Sequence, residues 1–234
     1  MTSAPEYLDL ADERDAADLV TLLRRARRLG STAVRLQASG RVLAVTICAL
    51  AGSGLMGEGT VLGMRVVMLA DEAAGDLTVG LDDLLLRLTS VQGAVDDAQS
   101  QGFSSPGSEA GAQGDAAPAD PGSRGSVRLS VPVAPVVEAW SGMSAPRSGW
   151  APVGLLPGAD VEQLATEGIA EVAAAGGDPR VRDAVWRRPI PGTSVPAGAA
   201  FALHGLGFTA PEIPLHTNGR WARLSTPAGY VLSR

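Results

Sequence analysis

Few residues in this chain of 234 stand at spacings that do chemistry. The sharpest match is Gly52-Ser-Gly54-Leu-Met-Gly57, a G-x-G-x-x-G pattern, with Asp71 and Glu72 downstream. A dinucleotide site uses such glycines to bring backbone close to a pyrophosphate, and it needs a helix N-terminus to receive the charge. The residues that follow, 60–69 (Thr-Val-Leu-Gly-Met-Arg-Val-Val-Met-Leu), have a β-like pattern instead. The motif therefore reads as a hairpin loop, and no cofactor is expected.

The remaining catalytic inventory is thin. His204 and His216 are the only histidines, and neither falls in a metal-ligand spacing, so no metal site is expected. Neither a G-x-S-x-G elbow nor a phosphate-binding G-x-x-x-x-G-K-[ST] loop is present. Cys48, within Val-Thr-Ile-Cys-Ala-Leu, reads as a small buried hydrophobe rather than a nucleophile. Asp82-Asp83 and Asp96-Asp97 are adjacent carboxylates, which point apart on a helix; Asp82 reads as a capping residue. No catalytic residue is assigned, and the balance leans against an enzyme. A dispersed site, with Asp160, Arg147 and His204 converging in one pocket, stays open because such sites leave no local signature.

Binding chemistry is better represented. Residues 140–150, Trp-Ser-Gly-Met-Ser-Ala-Pro-Arg-Ser-Gly-Trp, set two tryptophans around a Pro/Gly loop. Tryptophan and arginine are enriched where binding energy concentrates, since they bury large areas and keep a polar handle. Trp140, Met143, Arg147 and Trp150 are the candidate interaction residues. All the tryptophans (140, 150, 186, 221) lie in the second half, so a core role for them is the competing reading.

Charge limits the partners. The chain has no lysine, 19 arginines and a net charge of −6, which argues against a general nucleic-acid binder. Residues 176–234 are the exception, with 7 Arg against 3 acidic residues. Arg180, Arg182, Arg187, Arg188, Arg220 and Arg223 are the candidate anion contacts. They could hold a phosphate backbone without reading bases. Arg24, Arg25, Arg27 and Arg28 read instead as the solvated end of a helix, favoured by its dipole.

Hydrophobic residues make up 45% of the chain and aromatics only 4%, so a core must be built mainly from Leu, Val and Ala. A helix is expected over 12–29, with Ala16, Leu19, Val20, Leu23 and Ala26 at helical spacing. Strands follow at 34–37, 41–50 and 60–70, with turns at Ser39-Gly40 and 71–76, and then a short helix carrying Leu81, Leu84, Leu85 and Leu88. Residues 1–91 are thus expected to form a small α-β-β-β-α domain. Residues 92–126, rich in Gly, Ser, Gln and Pro, are expected to be a disordered linker. Residues 127–234 are expected to be mainly helical. They begin with an edge strand near 127–133 and an irregular stretch over 140–158. Helices follow near 161–172, from Asp178-Pro179 and from Pro196, and a β-hairpin (220–225 with 230–233) closes the chain. The class is α+β, and the second part has the element order of a winged helix. The helix from Pro196 is too apolar to read DNA and is expected to be buried.

Several stretches resemble an uncharacterised actinobacterial protein family. They are Pro146-Arg-Ser-Gly-Trp150, Glu167-Gly-Ile-Ala-Glu-Val172, Val181-Arg-Asp-Ala-Val-Trp-Arg-Arg-Pro189, Ala197-Gly-Ala-Ala-Phe-Ala-Leu-His-Gly-Leu-Gly-Phe208 and Arg220-Trp-Ala-Arg-Leu-Ser-Thr-Pro-Ala-Gly-Tyr230. The resemblance implies a bacterial cytoplasmic setting and no chemistry. Without a visible signal peptide or an apolar run of spanning length, the cytoplasm is the expected location. The expected function is a non-catalytic protein-interaction or adaptor role with an unidentified protein partner. The alternatives are nucleic-acid binding through the C-terminal arginines and an enzyme with a dispersed site. A homodimer is possible.

Overall fold

The computed structural model describes residues 5–52, 57–102 and 125–234. Strand β1 (Tyr7–Leu10) leads into helix α1 (Glu13–Arg28), whose first turn is capped by the Asp12 carboxylate accepting from Arg14 N at 2.9 Å. Ala16, Leu19, Val20, Leu22, Leu23 and Ala26 form its buried stripe. The helical periodicity and the charge bias at both helix ends are therefore realised as expected.

The strands that follow differ from expectation. Strand β2 runs unbroken over Ala33–Leu50 and β3 over Val61–Gly80, pairing antiparallel along nearly their whole lengths. The two turns expected at Ser39-Gly40 and 71–76 lie opposite each other inside this ribbon, Ser39 pairing with Ala74 and Gly40 with Ala73. They are one bend, not two chain reversals. Pairing then jumps to Val42↔Met68, so residues 69–72 bulge out of the ladder. Arg41 spans the bulge, donating to the carbonyls of Leu69 (3.3 Å) and Ala70 (2.6 Å). The extruded stretch is where β1 joins, at Leu10↔Leu69. The N-terminal order is thus β-α-β-β-α, closing with α2 (Leu81–Gly102). This helix runs into the span expected to be a linker; residues 103–124 of that span lie outside the described residues.

The C-terminal part is not mainly helical. It holds β4 (Val127–Ser130), a 3₁₀ turn (Ala139–Gly142), β5 (Ala151–Pro157), α3 (Gly158–Ala174), α4 (Pro179–Arg187) and α5 (Gly198–Leu206). It then ends in β6 (Glu212–Asn218), β7 (Trp221–Thr226) and β8 (Gly229–Ser233). The expected hairpin is β7–β8, closed at Thr226↔Gly229. Strand β5 falls in the stretch 140–158 expected to be irregular, β6 lies where no element was expected, and prolines interrupt both. Pro152 and Pro157 are tolerated because β5 pairs only with β6 and lies at the sheet edge. Pro214 is tolerated because β6–β7 pairing begins only at Leu215. With these strands in place, the winged-helix element order does not hold.

All eight strands form one largely antiparallel sheet, ordered β4-β1-β3-β8-β7-β6-β5, with β2 on the other edge of β3. The two parts join at β3–β8, in register from Val61↔Ser233 to Met64↔Tyr230, and at β1–β4, in register from Tyr7↔Ser130 to Leu10↔Val127. The helices cover one face. Helix α5 lies closest, its Ala199, Ala200, Ala202, Leu203 and Leu206 fully buried, as its apolar sequence predicts. Gly63 permits that approach, since a Cβ there would collide with Leu206 Cδ1. Gly207 ends α5 in the left-handed conformation (φ 68°), and Arg25 Nη1 donates to the Leu206 carbonyl at 2.9 Å. No described helix is long and apolar enough to cross a membrane.

A candidate binding cleft on the open face of the sheet

The opposite face is built by strand alternation. While Leu43, Val45 and Ile47 of β2 point to the helices, Val42, Ala44, Thr46 and Cys48 point away from them. Their registered neighbours Leu62, Met64 and Val66 of β3, Tyr230 and Leu232 of β8, and Arg223 of β7 share that open face. Among the described residues no α-helix lies over it. Instead residues 136–150, which include the 3₁₀ turn, cross it as a strap.

The strap is tied down at intervals. Val136 N donates to Thr78 O at 2.8 Å, and the Glu138 carboxylate accepts from Thr32 Oγ1 at 3.3 Å. Trp150 Nε1 donates to Pro146 O at 3.0 Å, and Asn218 Nδ2 to Ser148 O at 2.8 Å. Trp140, Met143, Ala145 and Trp150 pack down on Leu62, Met64, Trp221 and Leu232, a small cluster separate from the main core. Met143 rests on Gly57, where any Cβ would meet its sulfur at 2.6 Å.

Between strap and sheet lies a cleft of about 660 Å³, within the range of small-ligand sites. Its floor is Val42, Ala44, Leu62, Met64, Val66 and Leu232. Its walls include Trp140, Met143, Trp150 and Tyr230. Ser39, Thr46 and Ser144 also line it, beside a set of charged groups. Arg35 holds Asp76 through two hydrogen bonds, Nε to Oδ1 and Nη2 to Oδ2, both 2.7 Å, and Gln37 Nε2 adds a third to Oδ2 at 3.1 Å. The Arg35 hydrogen bond holds the Asp76 carboxyl below the ordinary carboxylate range. Arg147 also lines the cleft and adds a weaker field of the same sign at Asp76. Arg223 lies against two rings, its Cζ 4.8 Å from the Trp150 centroid and 5.5 Å from that of Tyr230. Its Nε is buried without a hydrogen-bond partner. Toward the open end, Val42 (40% exposed), Val66 (41%) and Met68 (50%) continue the apolar floor into solvent.

All four candidate interaction residues, Trp140, Met143, Arg147 and Trp150, therefore line one cavity. They divide by burial: Trp140 is 7% exposed and belongs to a core cluster, whereas Trp150 is half-buried and Arg147 exposed. Trp186 stacks on Phe201 on the helical side, with ring centroids 4.6 Å apart. The candidate anion contacts do not share a surface. Arg180, Arg182 and Arg187 lie on α4, which packs on α3 and α5, and Arg188 follows that helix, paired bidentately with Glu171 at 2.6 Å. Arg220 sits in the exposed β6–β7 turn, and Arg223 alone of the six enters the cleft.

Two features escaped the sequence. Arg35 and Asp76 were read as an exposed strand residue and a turn residue; only the β2–β3 register brings them together. Their signal was the alternation itself, with Arg35 and Gln37 on one face between buried Val34, Leu36 and Ala38. The second is a shallower pocket of about 390 Å³ between α3, α5 and β6, where His204 Nδ1 meets Glu162 Oε1 at 2.7 Å. Arg147 lines the other cavity and Asp160 lines neither, so the particular arrangement of Asp160, Arg147 and His204 in one pocket is not formed. The Cys48 thiol is pushed up to about 12, chiefly by burial, which removes it as a nucleophile at neutral pH. Of the G-x-G-x-x-G stretch, residues 53–56 lie outside the described residues, and the chain beyond it enters β3 rather than a helix. Among the described residues no cluster of His, Cys, Asp and Glu is arranged to hold a metal ion.

Two family models match the chain. Residues 3–107 match a domain of unknown function (DUF8010), and residues 145–234 match a second domain of unknown function (DUF8185). These matches fit an uncharacterised family. No curated protein and no solved structure matches the chain.

Proposed function

We propose that this chain is a non-catalytic binding protein whose site is the cleft between residues 136–150 and the open face of the sheet. The observation that carries the reading is the cleft's make-up. A volume of about 660 Å³ lies between apolar floor residues and aromatic walls, with Arg35, Asp76, Arg147 and Arg223 among its polar groups. The adaptor role is the form of this reading in which the occupant belongs to a protein. In that form the partner would extend over the exposed Val42, Val66 and Met68 at the cleft mouth.

The test uses Ala44→Trp, which fills the cleft from its floor while adding bulk only on the open face. Wild-type and variant chains are exposed to a native cell extract, and retained molecules are identified by mass. The reading expects a molecule held by the wild type and lost from a variant whose thermal midpoint is unchanged. Equal retention by both chains, or retention by neither, would overturn it.

A further inference from the structure

We infer that the occupant of the cleft is a small amphipathic carboxylate, its apolar body on the sheet floor and its carboxylate on Arg223. The inference rests on the cleft being a binding site and names what the site takes.

The charges within the cleft are unbalanced. Among the described residues lining it Asp76 is the one acidic residue, and Arg35 already engages both of its oxygens. Arg147 and Arg223 are left with no ion pair and no hydrogen bond among the described residues. The surplus of the cavity is therefore cationic, although the chain as a whole carries −6.

Arg223 is also held in a way that suits a planar anion. Its guanidinium lies against the rings of Trp150 and Tyr230, and Trp150 is itself fixed by its bond to Pro146 O. Ring contacts occupy the faces of a guanidinium and leave its N–H donors at the edge, where a carboxylate accepts two in parallel. Being partly desolvated between the rings, the cation has already lost hydration that an anion would restore. Its buried Nε lacks an acceptor, and on the neighbouring strand His216, registered opposite Arg223, has a buried Nδ1 in the same condition.

A phosphate is less well served. No helix N-terminus lines the cleft among the described residues, and its walls are strands and the strap. The floor of the cavity carries a run of apolar side chains, with Val42, Ala44 and Val66 leading to solvent, which fits a hydrocarbon or aromatic body.

The probes are dodecanoate, held below its micellar concentration, and its uncharged methyl ester, titrated into the full chain and followed by tryptophan emission and calorimetry. Dodecanoate is expected to bind about tenfold or more tightly than the ester, the amount a charge-assisted hydrogen-bond pair confers. Arg223→Met keeps the apolar stem and is expected to abolish that preference. Arg147→Gln, at an exposed position whose change leaves folding intact, is expected to weaken dodecanoate binding by a smaller factor. Equal binding of acid and ester, with both lost in Ala44→Trp, would overturn the carboxylate while leaving the cleft as a binding site. Capture from extract of a protein that dodecanoate fails to displace would do the same. Binding of neither probe, with no molecule retained from extract, would remove both readings.

Discussion

Arg35 holds Asp76 with two of its nitrogens and the Met143 carbonyl with the third, at 3.0 Å, so one side chain joins both strands of the long hairpin to the strap. Arg35 is largely covered, with a side-chain exposure of 11%, whereas Asp76 is about half exposed. The pair therefore acts mainly by orienting the strap, and its direct contribution to stability is discounted for solvent screening.

Asp76→Asn is expected to release the Arg35 fork. Hydrogen exchange should quicken over residues 143–150, and the loss of global stability should be about 1 kcal/mol or less. The pH dependence follows in sign. Because the Asp76 carboxyl is held below its ordinary value, the stabilisation is fully present above the unfolded-state value near 3.8. It is lost as pH falls through the folded value. Acid titration of the variant should lack that component, and superimposable acid limbs would contradict the assignment.

The two strap tryptophans should separate on substitution. Trp140 is buried against Leu62, Trp221 and Leu232, so Trp140→Ala is expected to cost about 3 kcal/mol or more in urea unfolding. Trp150 is half-buried at the edge of that cluster and loses its Arg223 contact and its bond to Pro146 O, so Trp150→Ala is expected to cost about 1–2 kcal/mol. Equal costs would mean that the strap is not anchored at its Trp140 end.

Cys48 should resist thiol reagents. With its thiol pushed up to about 12 by burial, labelling by a disulfide reagent at pH 8 should be slow in the folded chain and ordinary in urea. The same shift makes alkali destabilising. Above the unfolded value near 9 the unfolded chain releases a proton that the folded chain keeps, so stability falls as pH rises from there towards 12. Cys48→Ala should remove that alkaline slope.

Gly63 and Gly93 offer a paired test of helix–sheet approach. Gly63→Ala places a methyl group against Leu206 Cδ1 and should destabilise by about 1–3 kcal/mol. Gly93→Ala, at an exposed position of α2 with no neighbouring element within 4 Å of the new carbon, should stabilise by up to about 1 kcal/mol. Circular dichroism melts of the two variants should move in opposite directions.

Local physics was legible in the sequence. Asp12 and the terminal arginines marked α1, Asp178-Pro179 marked α4, and the run 197–208, apolar or small apart from His204, marked a helix for burial; each signal depends on neighbours within a turn or two. Trp140, Met143, Arg147 and Trp150 were also legible as a group, because they share one short loop. What the sequence could not decide was pairing. Ser39-Gly40 and 71–76 look like turns until they are seen opposite each other in one bent ribbon. The prolines of β5 and β6 look like breakers until the register shows that no neighbour needs their missing N–H. Arg35 meets Asp76 across 41 residues, and Met64 meets Tyr230 across the whole second half of the chain. Helix caps and amphipathic stripes are written in adjacent residues, whereas strand registers and the cavities between layers exist only after distant segments have paired.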